Sequence, residues 1–126
     1  MSRQYQLSLL CLTHLLVSAD GFVDENEGDA IRLIRQRENI SDEVYKEFEQ
    51  LVADCKEREL YQLGIDAINK CTREEKMRVF VILYKLSEVD GRVHVGEIRL
   101  LLYSIKYADI DFEQVVFHAR GVPSLL

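Results

Sequence analysis

Proline is nearly absent from this sequence, and its absence limits the folds open to the chain more than any other feature. The single proline, Pro123, lies close to the C-terminus. Before it there is no cluster of glycine and proline and no long alternation of polar and apolar residues. Apolar residues recur every three or four positions, as on one face of a helix. We therefore predict an all-α fold, a compact bundle of about seven helices that forms one domain over residues 1–126.

Two segments are apolar on nearly every side and predict central, buried helices. They span residues 7–19 and 77–89, and each runs directly into an Asp-Gly pair, at Asp20 and at Asp90. A single amphipathic face needs fewer apolar residues than these segments contain. The other predicted helices have one apolar face each and would pack around these two.

Capping residues predict where several helices begin. Ser41 is a predicted N-cap, Thr72 forms a predicted capping box with Glu75, and Asp111 begins a short final helix. The charged stretch 56–59 separates the third and fourth predicted helices, either as a break or as a kink. The second helix is predicted to end near residues 38–39.

A short pattern, Asp-Gly-x-Val-x-x-x-Glu, occurs twice at a spacing of about seventy residues. It appears in "ADGFVDENE" and again in "VDGRVHVGE". Each copy follows an apolar helix and precedes an amphipathic one, and a further predicted helix start recurs at the same offset. We predict two helix, Asp-Gly turn, helix halves, at about 5–40 and 75–110, with a helical insertion at about 41–71.

Because it carries these two patterns, the chain resembles the TerB-like domain family, which includes tellurite-resistance proteins and a domain of DnaJ-like co-chaperones. The resemblance rests on "LLVSADGFVDENE", on "YKLSEVDGRVHVGE" and on the helical plan around them, and it covers nearly the whole chain. It implies a compact helical domain, usually without enzymatic activity, that acts in tellurite and other stress responses. It also implies an acidic site for a divalent metal.

The two turns resemble the second half of an EF-hand calcium loop, but neither is a complete loop. An EF-hand would place its first ligand four residues before the aspartate of the Asp-Gly pair. The two halves carry Leu16 and Leu86 at that position, and leucine cannot coordinate a cation.

A joint site remains open if the two halves pack about a pseudo-twofold axis. Carboxylates held close together repel one another, which raises their pKa values or recruits a cation. Oxygen ligands favour calcium, magnesium or manganese, and a histidine would make the site more tolerant of zinc. The candidate metal ligands are Asp20, Asp24, Glu27, Asp90, His94 and Glu97.

The same turns also have a purely structural interpretation, which we favour. The aspartate can bond turn amides, the glycine supplies left-handed backbone, the valine anchors the turn and the glutamate caps the next helix. None of these roles requires a metal.

Charge and cysteine content exclude several functions. The net charge of −6 and the lack of a Lys/Arg cluster argue against nucleic-acid binding. Cys11, Cys55 and Cys71 are odd in number and widely spaced, as expected of reduced thiols in a cytoplasmic protein. The N-terminal segment has neither a signal-peptide pattern nor a stretch apolar enough for membrane insertion.

No catalytic grouping can be assembled from the sequence. His14 is expected to be a core histidine, and the alternating charges from Arg32 to Glu38 are expected to form a solvated helix face. We predict a non-enzymatic interaction or sensing module that binds a protein partner and is a monomer or weak homodimer. The alternatives are a divalent-cation-binding protein and a metal-dependent hydrolase that uses the same acids.

Overall fold

The structure is a computed structural model that describes residues 2–18, 25–88, 106 and 110–121, with side chains at 2–16, 31–85, 106, 110–111 and 113–121. These residues contain helices and no strand, which confirms the all-α prediction. The predicted helix before Asp109 lies outside the described residues apart from Lys106, so the count of seven stays a prediction. The helices are α1 (Arg3–Ser18), α2 (Glu25–Arg37), α3 (Asp42–Asp54), α4 (Glu57–Ile68), α5 (Arg73–Glu88) and α6 (Phe112–Arg120).

Helix α1 is the centre of the bundle. It packs most extensively on α4 and also contacts α2, α3 and α5. Every side chain from position 7 to position 13 is buried, as the sequence predicts for a helix surrounded by others. The helix begins at Arg3, earlier than predicted, because the hydroxyl of Ser2 caps it by accepting a hydrogen bond from the N–H of Tyr5 at 3.2 Å.

Helix α5 is the second apolar helix and has the same length as α1, 16 residues. It packs on α1 and on α6, and the five side chains 79–83 are buried. The predicted capping box at its start is confirmed. The N–H of Glu75 donates to Thr72 Oγ1 at 3.1 Å, and the N–H of Thr72 donates to Glu75 Oε1 at 3.1 Å.

Two further predicted N-caps are confirmed. Ser41 Oγ accepts from the N–H of Val44 at 3.2 Å before α3, and Asp111 Oδ1 accepts from the N–H of Glu113 at 3.0 Å before α6. Between α3 and α4 the helix is broken at residues 55–56. The N–H of Lys56 is satisfied there by Glu59 Oε1 at 3.3 Å, so α4 begins as a separate helix.

Gly64 allows α1 and α4 to approach closely. A β-carbon at this position would lie 3.1 Å from Leu12 Cδ2 and 3.2 Å from Leu12 Cγ, which is tighter than ordinary van der Waals contact. Glycine in a helix interior costs about 1 kcal/mol relative to alanine. Here that cost is offset by the close packing of α1 on α4, the most extensive helix contact among the described residues.

Helix α2 ends in a Schellman motif at the predicted position. Asn39 adopts left-handed backbone, with φ of 51°. The N–H of Ile40 donates to the carbonyl of Arg35 at 3.1 Å, and the N–H of Asn39 donates to the carbonyl of Gln36 at 3.4 Å. The motif turns the chain so that Ile40, only 6% exposed, enters the core.

Candidate functional site

The side chains of all six predicted metal ligands lie outside the described residues. Asp20, Asp24, Asp90, His94 and Glu97 lie outside the described residues. The remaining candidate, Glu27, lies in the first turn of α2, and its side chain is also outside them. Within the ranges that the structure does describe, no three histidine, cysteine or acidic side chains form a group that could hold a metal ion.

The structure instead brings together three polar side chains from three different helical segments. These are Tyr5 of α1, Glu38 at the end of α2 and Arg78 of α5, which we call the Glu38 cluster. Arg78 donates from Nε to Glu38 Oε1 at 2.6 Å and from Nη2 to Glu38 Oε2 at 2.9 Å. The hydroxyl of Tyr5 donates to Glu38 Oε1 and accepts from Arg78 Nε at 3.1 Å.

Burial makes the Glu38 cluster different from an ordinary surface ion pair. The Glu38 side chain is 6% exposed and Tyr5 is completely buried, whereas half of the Arg78 side chain reaches solvent. A carboxylate removed from water needs a hydrogen-bonding partner for each oxygen. Arg78 supplies a charge-assisted hydrogen bond to each oxygen, and Tyr5 donates one more to Oε1.

The electrostatics of the Glu38 cluster favour one fixed protonation state. Burial by itself would raise the pKa of Glu38, but the hydrogen bonds from Arg78 and Tyr5 outweigh burial and lower the pKa below its usual range. Burial, together with the neighbouring carboxylate, raises the pKa of Tyr5. Near neutral pH, Glu38 is therefore ionised and Tyr5 is neutral.

This arrangement suits a structural contact better than acid or base catalysis. A general base works best when its pKa lies near the operating pH, and the pKa of Glu38 is shifted away from it. The pKa of Tyr5 is shifted upward, which makes its hydroxyl a poor proton donor to a substrate. The Glu38 cluster joins α1, the end of α2 and α5.

The Glu38 cluster was not predicted from the sequence, and the expectation that Glu38 lies on a solvated helix face was wrong. The partners of Glu38 lie 33 and 40 residues away in the chain, beyond the reach of any local pattern. One signal was available. A glutamate at the C-terminal end of a helix is unfavourable beside the negative end of the helix dipole, so a cation is expected near it, although Arg35 and Arg37 in the last turn of α2 could also fill that role.

A second set of hydrogen bonds joins the start of α1 to the start of α5. The hydroxyl of Ser2 donates to Glu75 Oε2 at 2.8 Å, and this is the same glutamate that caps α5. The hydrogen bond from the N–H of Thr72, followed by that from Ser2, lowers the pKa of Glu75. These hydrogen bonds lie at the starts of α1 and α5, whereas the two Asp-Gly pairs follow the ends of the same helices.

The three cysteines are free thiols in different surroundings. Cys11 is completely buried, and burial raises its pKa to about 12. Cys55 and Cys71 are half-buried, and burial also raises the pKa of Cys71. A thiol with a raised pKa is a poor nucleophile, so neither Cys11 nor Cys71 has the character of a reactive cysteine.

His14 and His118 lie in different surroundings, and each is beside an aromatic ring. His14 is half-buried and lies edge-on to the ring of Phe48, with ring centroids 5.9 Å apart. His118 is exposed on α6 beside Phe117, which is 70% exposed. The core-edge position of His14 agrees with its expected role as a packed histidine.

The chain matches no protein-family model, no curated protein and no solved structure in the comparisons made. Resemblance to the TerB-like family therefore rests on the two turn motifs and the helical pattern. Among the described helices, none is both long enough and apolar enough to cross a membrane.

Proposed function

We propose that this protein is a TerB-like helical module without enzymatic activity, which acts as an interaction or sensing protein in the response to tellurite or a related stress. The proposal is carried by one observation. Structural features outside the two turn motifs recur at the same seventy-residue spacing as the motifs themselves.

Three pairs of features have this spacing. Helix α1 begins at Arg3 and α5 begins at Arg73, and both are 16 residues long. The N-caps Ser41 and Asp111 are also seventy residues apart. Each N-cap follows a buried isoleucine, Ile40 at 6% exposure and Ile110 at 7%. These matches support the two-half plan predicted from the repeated sequence pattern.

The chemistry of the described residues supports a non-enzymatic role. The carboxylate of Glu38, 6% exposed, is ionised and hydrogen-bonded by Arg78 and Tyr5, as a group in a structural contact would be. The thiol of Cys11 is buried and has a raised pKa. An interaction module requires a stable core and a specific surface, and buried groups held in this way suit a core.

The functional proposal can be tested by survival on tellurite. The gene would be deleted in its source organism, and the deletion strain would be complemented with the wild-type chain or with the Arg78→Met variant. We expect the deletion to lower survival and the wild type to restore it. Equal survival of the deletion and wild-type strains across tellurite concentrations would contradict a role in that response.

A second candidate function is divalent-cation binding by acids of the two turns. It is favoured by the position of the turns, since α1 ends at Ser18 and α5 at Glu88, each two residues before an Asp-Gly pair. Calcium, magnesium, manganese or zinc would be held by carboxylates, with His94 as the one nitrogen ligand. The two candidates are compatible, because a bound cation can be part of a sensing module.

Calorimetric titration separates cation binding from a structural role of the turns. The wild-type chain would be titrated with each of the four cations, beside a variant that carries Asp20→Asn and Asp90→Asn. Binding that the double variant loses supports a joint site, and added cation should then raise the melting temperature. A chain that shows no heat with any cation and an unchanged melting temperature in chelator has purely structural turns.

A further inference from the structure

Helix α6 packs on α5 with one face and presents a phenylalanine on the opposite face. Val115 and Ala119 are buried, and α6 contacts α5. Because successive residues of a helix are about 100° apart, Phe117 lies about 160° from each of these two around the helix axis. The register that buries Val115 and Ala119 therefore directs Phe117 outward, and its side chain is 70% exposed.

The exposure of Phe117 is large for an aromatic side chain. Among the described residues, the other large apolar side chain that is exposed is Leu63, at 37%. The ring of Phe117 is in edge-on contact with His118, with ring centroids 5.7 Å apart. Aromatic rings are enriched at the centres of protein interfaces, where a polar rim surrounds them. Phe117 therefore has the character of an interface centre.

The charges of α6 flank Phe117 and have opposite signs. Glu113 precedes it by four residues and Arg120 follows it by three, and both are exposed. Along the axis they lie about 6 Å to one side of Phe117 and about 4.5 Å to the other, on the same flank of the outward face. With His118 neutral, α6 carries one negative and one positive charge, although the whole chain carries −6.

This arrangement is complementary to a second copy of itself. A twofold axis beside Phe117 would bring two α6 helices together antiparallel, with the two phenylalanine rings in contact. The same rotation places Glu113 of each copy opposite Arg120 of the other, which gives two ion pairs. On the other flank, Gln114 of one copy meets Gly121 of the second, which has no side chain to obstruct it.

We propose that α6 is a self-association surface, on which a second copy of this chain docks antiparallel with Phe117 at the centre. A helix of nine residues is about 13.5 Å long. Two copies that meet on α6 alone bury less than the roughly 800 Å² per partner that is typical of stable complexes. The dimer is therefore weak and forms as concentration rises. This surface does not depend on the proposed role in a stress response.

Sedimentation equilibrium of the full chain, from about 10 µM to about 1 mM, tests the dimer. We expect the average mass to rise with concentration from that of one chain toward that of two. Phe117→Ala should weaken association about tenfold or more, because the ring no longer leaves water on docking. The matched control is Leu63→Ala on α4, which should leave the dissociation constant unchanged. Both positions are exposed, and thermal unfolding checks that the variants keep the fold.

Two charge variants test the antiparallel orientation. Glu113→Lys and Arg120→Glu each place like charges at both contact points, so each variant alone should dimerise more weakly than the wild type. An equimolar mixture of the two variants restores opposite charges at both points, because position 113 of one copy meets position 120 of the other. The mixture should therefore associate more tightly than either variant alone.

Three results would overturn the proposal. The first is a wild-type chain that keeps the mass of one chain over the whole concentration range, which would leave the outward face of α6 to solvent or to a different protein. The second is a Phe117→Ala variant that dimerises as tightly as the wild type. The third is a mixture of the two charge variants that associates no more tightly than each variant alone.

Discussion

Arg78 holds the carboxylate of Glu38 through two hydrogen bonds, of 2.6 Å and 2.9 Å, across forty residues of sequence. The acid is nearly inaccessible to water, at 6% exposure, and the guanidinium is half exposed. The pair therefore combines a desolvated anion with a cation that remains partly hydrated. Breaking it leaves the buried anion without its main partner, which costs far more than the loss of a solvated pair.

We predict that Arg78→Met lowers the free energy of unfolding by about 2–3 kcal/mol, because Glu38 then stays buried without its bidentate partner. Urea denaturation measures the change. The matched control is Arg3→Met, which breaks the pair with Glu47, whose side chain is 36% exposed. That control should cost at most about 1 kcal/mol. Equal losses in the two variants would contradict a special role for the buried pair.

The lowered pKa of Glu38 predicts a specific loss of stability in acid. At pH values between the folded pKa and the ordinary value of 4.5, the unfolded chain binds more protons than the folded chain, so stability falls as pH falls. The contribution is present above the unfolded pKa and is lost as pH drops through the folded pKa. Glu38→Gln should therefore flatten the acid side of the stability curve. Parallel curves for the variant and the wild type, measured by urea denaturation across this range, would contradict the assignment.

The close approach at Gly64 predicts a graded response to side-chain size. Gly64→Val should destabilise the fold by about 1–3 kcal/mol, because its methyl groups meet Leu12, whereas Gly64→Ala gains helix propensity against a smaller clash. Thermal unfolding measures both variants. Leu12→Ala makes room opposite position 64, so Gly64→Val should cost less in that background. A valine variant as stable as the wild type would show that α1 and α4 are not in close contact there.

The three thiols should react in an order set by burial. Cys11 is completely buried with a pKa raised to about 12, so iodoacetamide at neutral pH should modify it only after unfolding. Its raised pKa contributes stability that is present below pH 9, the ordinary value, and is lost as pH rises through about 12. The half-buried Cys55 should be alkylated first. Peptide mapping of the native chain gives the order, and rapid modification of Cys11 would contradict its burial.

Local chemistry determined how much of this fold could be predicted from the sequence. The confirmed helix caps each join residues that are at most three positions apart. They are the N-caps Ser41 and Asp111 and the capping box of Thr72 and Glu75. The two apolar helices were also predictable, because a helix buried on several sides has apolar residues on all of them. The start of α1 was missed because its cap, Ser2, precedes the apolar segment.

The Glu38 cluster could not be predicted in this way. A glutamate that follows three arginines has the same local pattern whether it is solvated or buried. Its environment is set by Tyr5 and Arg78, which the packing of α1 and α5 brings to the end of α2. The proposed metal ligands depend on packing in the same way, because the two turns are seventy residues apart. For these residues the sequence indicates the chemistry, and the packing of the helices sets the distance between the turns.

The proposed function depends on a fold made of two matched halves, and backbone NMR chemical shifts of residues 89–109 test that plan most directly. The second half should contain a counterpart of α2 seventy residues later. Since α2 spans Glu25–Arg37, the plan predicts continuous helical Cα shifts over about residues 95–107. Extended or coil shifts across that range would contradict the two-half plan and the seven-helix count together.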